Sequence, residues 1–204
     1  QGSTAVVVLA LSDGRCVLGS VGDSEALLVR AGNVPVQLHR IHKPNHADER
    51  RRIEQHGEFV ANRRLNGRLA MSRAFADFQY RSITEQPETA VFRVSQGDAI
   101  VMGSDGLWDG VSFDNAASNV DQGCSVLLNA ALRRSADNIT ILCVWFSEHD
   151  GSDDSTTQMD DVYMSAVITF AVFGMAVMLW RNSILTKYIG MCAAITLIVM
   201  KKQV

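Results

Sequence analysis

Val162 to Trp180 is a run of 19 residues without one charge, and no water-facing surface of a small domain tolerates such a run. As a helix it would extend about 28 Å at a rise of about 1.5 Å per residue, close to the hydrocarbon thickness of a bilayer. The run therefore predicts a membrane span over 162–180. A buried core helix is the competing reading. It fits less well, because the run follows a solvating stretch and has no polar face. That stretch, 148–161 (EHDGSDDSTTQMDD), has one large apolar residue, Met159, among many carboxylates, and it is read as an acidic linker.

After Arg181-Asn182-Ser183, residues 184–200 carry only Lys187 as a charge. They form either a second span, with Lys187 snorkelling toward the headgroups, or a helix lying in the interface. If they span, the Arg-Asn-Ser turn closes a hairpin, and the linker and the basic tail 201–204 face the same side. The tail KKQV resembles the dilysine retrieval signal of endoplasmic-reticulum membrane proteins and reads equally as a basic stop after a helix. Arg181, Lys187, Lys201 and Lys202 all follow the first run, which opposes a single span with a cytosolic soluble region. The self-consistent expectation is a two-span hairpin on a membrane such as the endoplasmic reticulum, with the soluble region in the cytosol.

Residues 1–147 remain for a soluble domain. The chain is 47% hydrophobic and 20% charged, enough to bury a core. A net charge of −3 leaves no broad basic surface, which argues against nucleic acid as a partner. Cys16, Cys124, Cys143 and Cys192 stand far apart with no CxxC pair and read as buried free thiols in a reducing compartment. Gln1 leads straight into an apolar strand with no leader, so the chain is expected to begin in mid-domain.

Short apolar clusters broken by turn signals fill this region. Thr4–Leu11, Arg15–Gly22 and Glu25–Arg30 read as an antiparallel meander, with Asp23 at a bend. Asn45 is expected to cap a helix over Ala47–His56 that Gly57 stops, with Arg50, Arg51 and Arg52 mostly solvated around Ile53. Asn66-Gly67 reads as a hairpin turn and Ser72–Phe78 as a short helical or irregular segment. Val91–Val94 and Ala99–Gly103 should form a hairpin around Gln96-Gly97. Phe113–Val120 and Ser125–Arg134 suit helices, and Ile139–Phe146 suits a strand. The class is α+β, a layered sheet structure with helices outside.

Three carboxylates fall at expected strand ends: Asp105 and Asp109 in GSDGLWDG, and Asp137 in ADNIT. Each alone has a structural explanation, since Asp-Gly is a common turn. Two carboxylates and a tryptophan within five residues exceed what a turn needs. With no histidine or cysteine nearby, the donors are oxygen only, suited to magnesium or manganese rather than zinc.

These residues resemble the metal-dependent type 2C (PPM-type) serine/threonine protein phosphatases. The resemblance runs collinearly from Gly2 to Phe146: GSTA at Gly2–Ala5, VGDS at Val21–Ser24, HKPN with ERRRIEQHG over His42–Gly57, RLNGRLAMSRAFADF over Arg64–Phe78, Pro87-Glu88, GSDGLWDG over Gly103–Gly110, and ADNIT over Ala136–Thr140. It implies a β-sandwich flanked by helices with a binuclear Mg2+ or Mn2+ centre, where a metal-bridging hydroxide attacks phosphoserine or phosphothreonine in protein substrates. It further implies that Asp105 bridges toward the metal pair, that Asp137 is a ligand to one ion, and that Asp23 and Asp109 join Asp105 at a third, weaker ion. A monomer is expected.

The chain departs from that pattern at Ala76 and Glu58, where the family has glycine, and at Ile41, where it has aspartate. The family's upstream segment, with its phosphate-holding arginine and an aspartate-glycine-histidine-glycine run, is not in this sequence. No catalytic residue beyond the metal ligands is therefore assigned, and His39, His42, His46 and His56 are expected at the surface or in loops. The isolated chain is expected to be inactive. The alternative function is a catalytically silent, membrane-tethered binding module on the same fold.

Overall fold

A computed structural model describes residues 2–11, 13–148, 162–169 and 192–200. Two antiparallel sheets and two groups of helices make up the described chain. The strands are β1 (Gly2–Leu11), β2 (Arg15–Val21), β3 (Glu25–Arg30), β4 (Val34–Gln37), β5 (Val60–Ala61), β6 (Arg64–Leu65), β7 (Phe75–Ala76), β8 (Glu88–Arg93), β9 (Ala99–Gly103), β10 (Ile141–Glu148), β11 (Val162–Thr169) and β12 (Cys192–Met200). The helices are α1 (Ala47–Gln55), α2 (Asp105–Trp108), α3 (Phe113–Asn119) and α4 (Cys124–Leu132). One sheet runs β12-β1-β2-β8 with β7 beside β1. The other runs β11-β10-β9-β3-β4, and β5 and β6 form a separate hairpin.

Side-chain alternation along β3 explains the layering, because successive residues of a strand face opposite sides. Ala26 and Leu28 join Ile100, Met102, Leu142 and Val144 against Val6, Val8, Cys16 and Leu18 of the first sheet. Leu27 and Val29 point the other way with Val101, Ile141 and Cys143, beneath Leu107, Ala116, Leu127 and Ala131 from the helices. β3, β9 and β10 are thus buried on both faces, which is why they read as unbroken apolar runs. Cys16, Cys124 and Cys143 are free and buried, as expected.

The expected meander does not form. β2 pairs with β1 and β8, whereas β3 pairs with β4 and β9. The chain changes sheets at Gly22, whose φ of +103° and close approach to the Thr4 side chain admit no Cβ. The expected hairpin around Gln96-Gly97 is likewise a crossing between sheets, since β8 pairs with β2 and β9 with β3 and β10. The residue before α1 is His46 rather than Asn45, and it makes no side-chain cap. The β5–β6 hairpin turns at Asn62-Arg63, both left-handed at φ 52° and 61°. Asn66-Gly67 makes the next turn, between the bridged Leu65 and Leu69.

The expected anchor falls partly on described residues. Val162–Thr169 is β11, paired with β10, and Cys192–Met200 is β12, paired with β1. Over these stretches the structure has strands where the sequence predicts spanning helix. Residues rich in Val, Ile and Thr suit both states, and the outer edges of β1 and β10 offer free backbone groups. The rest of 162–180 and 184–200, the linker beyond Glu148 and the tail lie outside the described residues. Among the described residues no helix is long and apolar enough to cross a membrane.

A third core, Ile53, Leu65, Leu69, Met71 and Ala74, sits under α1 and the β5–β6 hairpin. Its polar tie is Glu49, only 1% exposed. Arg73 donates Nε and Nη2 to Glu49 Oε1 at 2.9 and 2.6 Å, Arg52 Nη2 lies 2.8 Å from Oε2, and Ser72 Oγ donates to Oε2 at 2.5 Å. Arg52 also donates to the carbonyls of Ser72 and Ser82. Of the three arginines expected to be mostly solvated, Arg50 and Arg51 are exposed and Arg52 is half-buried and turned inward. Burial pushes the Glu49 carboxyl up, but these hydrogen bonds outweigh it and hold the group at about 2.

Two predictions follow from these buried groups. Glu49→Ala, which leaves two guanidinium groups without their carboxylate, should cost about 3 kcal/mol or more in urea unfolding. His42 is 0% exposed, and its pKa falls to about 4, from burial first and the Arg73 charge second. Between pH 6.5 and 4 the unfolded chain takes up a proton that the folded chain refuses, so this group makes stability fall as pH drops through that window. Glu25, a buried carboxyl that keeps its proton to about pH 7, acts in the opposite sense over the same range, so the effect is read as a difference: the advantage of wild type over His42→Gln in urea midpoint should shrink as pH drops from 6.5 to 4.

Candidate active site

Antiparallel register sets Glu25 of β3 and Ile141 of β10 both opposite Gly103, the last residue of β9. The residues just beyond these three positions therefore emerge at one edge of the second sheet. They are Asp23-Ser24 before β3, Ser104-Asp105 after β9, and Asp137 to Thr140 before β10. All four aspartates singled out in the sequence lie in or beside these loops.

Ser104 binds two of the loops together. Its N–H donates to the Thr140 carbonyl at 3.1 Å, its Oγ donates to the Asn138 carbonyl at 3.1 Å, and the Thr140 N–H donates back to Oγ at 3.0 Å. Gly106 lies so near Asn138 that a Cβ there would collide with its carbonyl oxygen. The DG pair in GSDGLWDG is thus a close-packing requirement as well as a turn.

Asp105 opens α2, half-buried, and its Oδ1 accepts the Gly106 N–H at 3.0 Å. Asp109 caps the far end of α2, exposed, and its N–H donates to the Asp105 carbonyl at 2.8 Å. Trp108 holds the short helix in place. Its Nε1 donates to the Gly103 carbonyl at 3.1 Å, and its ring meets Phe113 edge to face at 5.2 Å. Asp137 is exposed, and its Oδ1 accepts the Asn138 N–H at 2.8 Å.

Asp23 is 2% exposed, and Lys43 Nζ donates to its Oδ2 at 2.6 Å. His42 braces the corner from the other side: its N–H donates to the Gly22 carbonyl at 2.9 Å, and the Gly22 N–H donates to its Nδ1 at 3.1 Å. Thr4 Oγ1 and Ser24 Oγ share a hydrogen bond of 2.8 Å that ties the corner to β1. His39 is also buried, with Nε2 accepting the Ala26 N–H at 3.1 Å. His39 and His42 lie in the stretch between β4 and α1, in loops as expected, but both are buried rather than at the surface. A neutral imidazole supplies an acceptor to backbone that the sheet leaves unpaired.

Two members of the site escape the sequence reading. One is Lys43. The other is Glu25, a buried carboxyl pushed up to about 7, by burial above all, with the charges of Asp23 and Asp109 acting the same way. Lys43 and a 3.4 Å hydrogen bond from Gln37 oppose the shift. Asp23, Glu25, Asp109 and Lys43 therefore share one electrostatic neighbourhood. The two-residue spacing of Asp23 and Glu25 was the available signal.

Carboxylates at a rigid strand edge suit a hard cation in kind. They do not make a complete site, because among the described residues no group of three or more His, Cys, Asp or Glu is placed to hold a metal ion. Asp23, the most buried of the four aspartates, is neutralised by Lys43 instead.

The family model for protein phosphatase 2C matches residues 1–143. Probable protein phosphatase 2C 59 of Arabidopsis thaliana is 37% identical over 169 residues, covering 76% of this chain and 54% of that protein. Probable protein phosphatase 2C 68 of Oryza sativa subsp. japonica is 41% identical over 162 residues, covering 70% of this chain and 44% of that protein. The chain spans about half the length of these curated relatives. In fold it is similar to a phosphatase from Toxoplasma gondii, with a TM-score of 0.60 and 22% identity over 77% of this chain and 52% of that one. With the family model matched over residues 1–143, the chain belongs to the protein phosphatase 2C family.

Proposed function

We propose that the protein containing this chain is a metal-dependent phosphatase acting on phosphoserine and phosphothreonine in other proteins, and that this chain supplies part of its acidic centre. The observation that carries the reading is the convergence of the Asp23, Asp105 and Asp137 loops on the Gly103 edge, in a member of a phosphatase family. Magnesium or manganese supplies charge neutralisation and an acidic bound water in chemistry of this kind.

The chain's own residues do the positioning. The Ser104 hydrogen bonds hold the Asp105 loop against the Asp137 loop, and Trp108 fixes the turn that carries Asp109. Lys43 balances Asp23, and Glu25 keeps its proton up to about neutral pH, which limits the negative charge crowded at this edge.

A catalytically silent binding module is the second reading, favoured by the lack of a complete ligand group among the described residues. The two readings separate on the full-length protein. Asp105→Asn should lower manganese-supported turnover of a phosphothreonine peptide by about 100-fold or more, the loss expected when several kcal/mol of charge stabilisation goes. Turnover equal to wild type would remove Asp105 from the site, and no turnover in wild type would favour the silent module.

Membrane attachment is the second part of the proposal. It rests on the uncharged run 162–180 and on the apolar run 184–200 with its single Lys187. The phosphatase region would then face the cytosol. The full-length protein should stay in the membrane pellet after alkaline carbonate extraction. Complete release into the supernatant would overturn the membrane proposal and leave β11 and β12 as ordinary sheet edges.

A further inference from the structure

We propose that the lobe between Arg40 and Arg81 is a docking surface for an acidic segment of a phosphoprotein, next to the acidic edge rather than within it. This rests on the phosphatase reading only for the identity of the partner as a substrate. Ten of the chain's 19 Lys and Arg residues and five of its 22 Asp and Glu residues lie in 40–81, so this stretch is at +5 while the whole chain is at −3.

The positive charge is exposed where it would be needed. Arg63, Arg68 and Arg81 are exposed and have no carboxylate partner among the described residues. The acids of the lobe are largely committed inward or to neighbours. Glu49 is buried among Arg52 and Arg73, Asp48 pairs with Arg40, and Glu54 pairs with Arg50.

Between the β5–β6 hairpin and the turn after Asp77 lies an open cleft of about 470 Å³, walled by Phe59, Asn66, Arg68, Gln79 and Tyr80. Its one carboxylate, Glu58, is taken up by the Ser82 N–H and Oγ and by Asn66 Nδ2. Phe59 is 57% exposed at the cleft, and Phe78, one residue before Gln79, is 90% exposed. Large apolar side chains left in water beside unpaired arginines mark a recognition surface, and arginine and aromatic residues dominate such contacts.

The lobe meets the acidic edge near its start and the first sheet near its end. Lys43, near its start, holds Asp23, and β7, near its end, pairs with Gly2 and Ser3 of β1. A polypeptide crossing the lobe would thus run toward the carboxylate edge. Negative residues on it are attracted by the unpaired arginines of the lobe, so charge favours the lobe as the place where an acidic segment lies.

Fluorescence anisotropy on the full chain tests this with a labelled, unphosphorylated peptide of alternating Glu and Ser around one Leu, and with its Lys counterpart. The Glu peptide should bind, weaken as salt rises, and lose about tenfold or more in affinity in Arg68→Glu and Arg81→Glu. Arg133→Glu, the same charge change at the exposed end of α4 and outside the lobe, should leave it within about twofold. Phe59→Ala should weaken binding with no change in salt dependence. Equal binding of both peptides, or unchanged affinity in the Arg68 and Arg81 variants, would overturn the proposal. So would arginine-dependent binding to phosphatidylserine vesicles that the Glu peptide cannot displace, because the lobe would then be a lipid surface. Hydrolysis of p-nitrophenyl phosphate by the full-length protein is read in parallel. It reports the phosphatase reading without docking, and the anisotropy reports docking without catalysis, so failure of one is distinguishable from failure of the other.

Discussion

Gly103 has two strand partners, Glu25 on one side and Ile141 on the other, and this double register is the constraint on which the site depends. A one-residue slip in either pairing would turn the apolar faces of β3 or β10 inside out. Neither strand has a polar face to offer: Ala26 and Leu28 fill one core, and Leu27 and Val29 fill the other. Burial on both faces therefore locks the register, and the register decides which loops meet. Asp23, Asp105 and Asp137 come to one edge because hydrophobic residues several positions away cannot move.

The same edge shows how the fold manages charge. Asp23 and Glu25 are both buried, and Asp109 adds to their field. Three ionised carboxylates without a cation would repel, and the chain relieves this by the Lys43 ion pair and by a Glu25 that retains its proton to about pH 7. Lys43 also begins the basic lobe, so one side chain neutralises the acidic edge and ties the lobe to it. Glu49 has the complementary part inside the lobe, where a buried carboxylate gathers Arg52, Arg73 and Ser72 around the small third core.

Much of this was readable in the sequence, for physical reasons that differ by residue. Asp105 and Asp109 stood out because a turn needs one aspartate and GSDGLWDG has two, and Asp137 because it precedes an apolar strand. Most strand and helix positions followed from short apolar runs between turn residues. Strand partners did not, because a turn such as Gly22-Asp23-Ser24 looks alike whether the chain returns beside itself or crosses to another sheet. The backbone at Gly22 and the Thr4 side chain against it decide that, and neither contact is local. His39 and His42 misled because a polar residue in a loop-like stretch suggests exposure, whereas each ring accepts a backbone N–H inside the fold. Glu25 was hidden by its setting at the start of an apolar strand.

The segment 162–169 shows where hydropathy alone is ambiguous. Its residues at even positions, Val162, Met164, Ala166 and Ile168, are all apolar, whereas the odd positions include Tyr163, Ser165 and Thr169. That alternation is the period of a strand, and the segment pairs with β10 over all eight residues. The longer run 162–180 has no charge at all, which is the signature of a span. The two placements exclude each other, since a backbone hydrogen-bonded within a helix cannot also complete a sheet edge. The edge of β10 gives 162–169 their backbone partners, whereas the interior of a bilayer supplies none to a lone segment, which is why a spanning run has to satisfy its own backbone as helix. Hydropathy alone therefore fits either placement, and the strand is the one that 162–169 adopt.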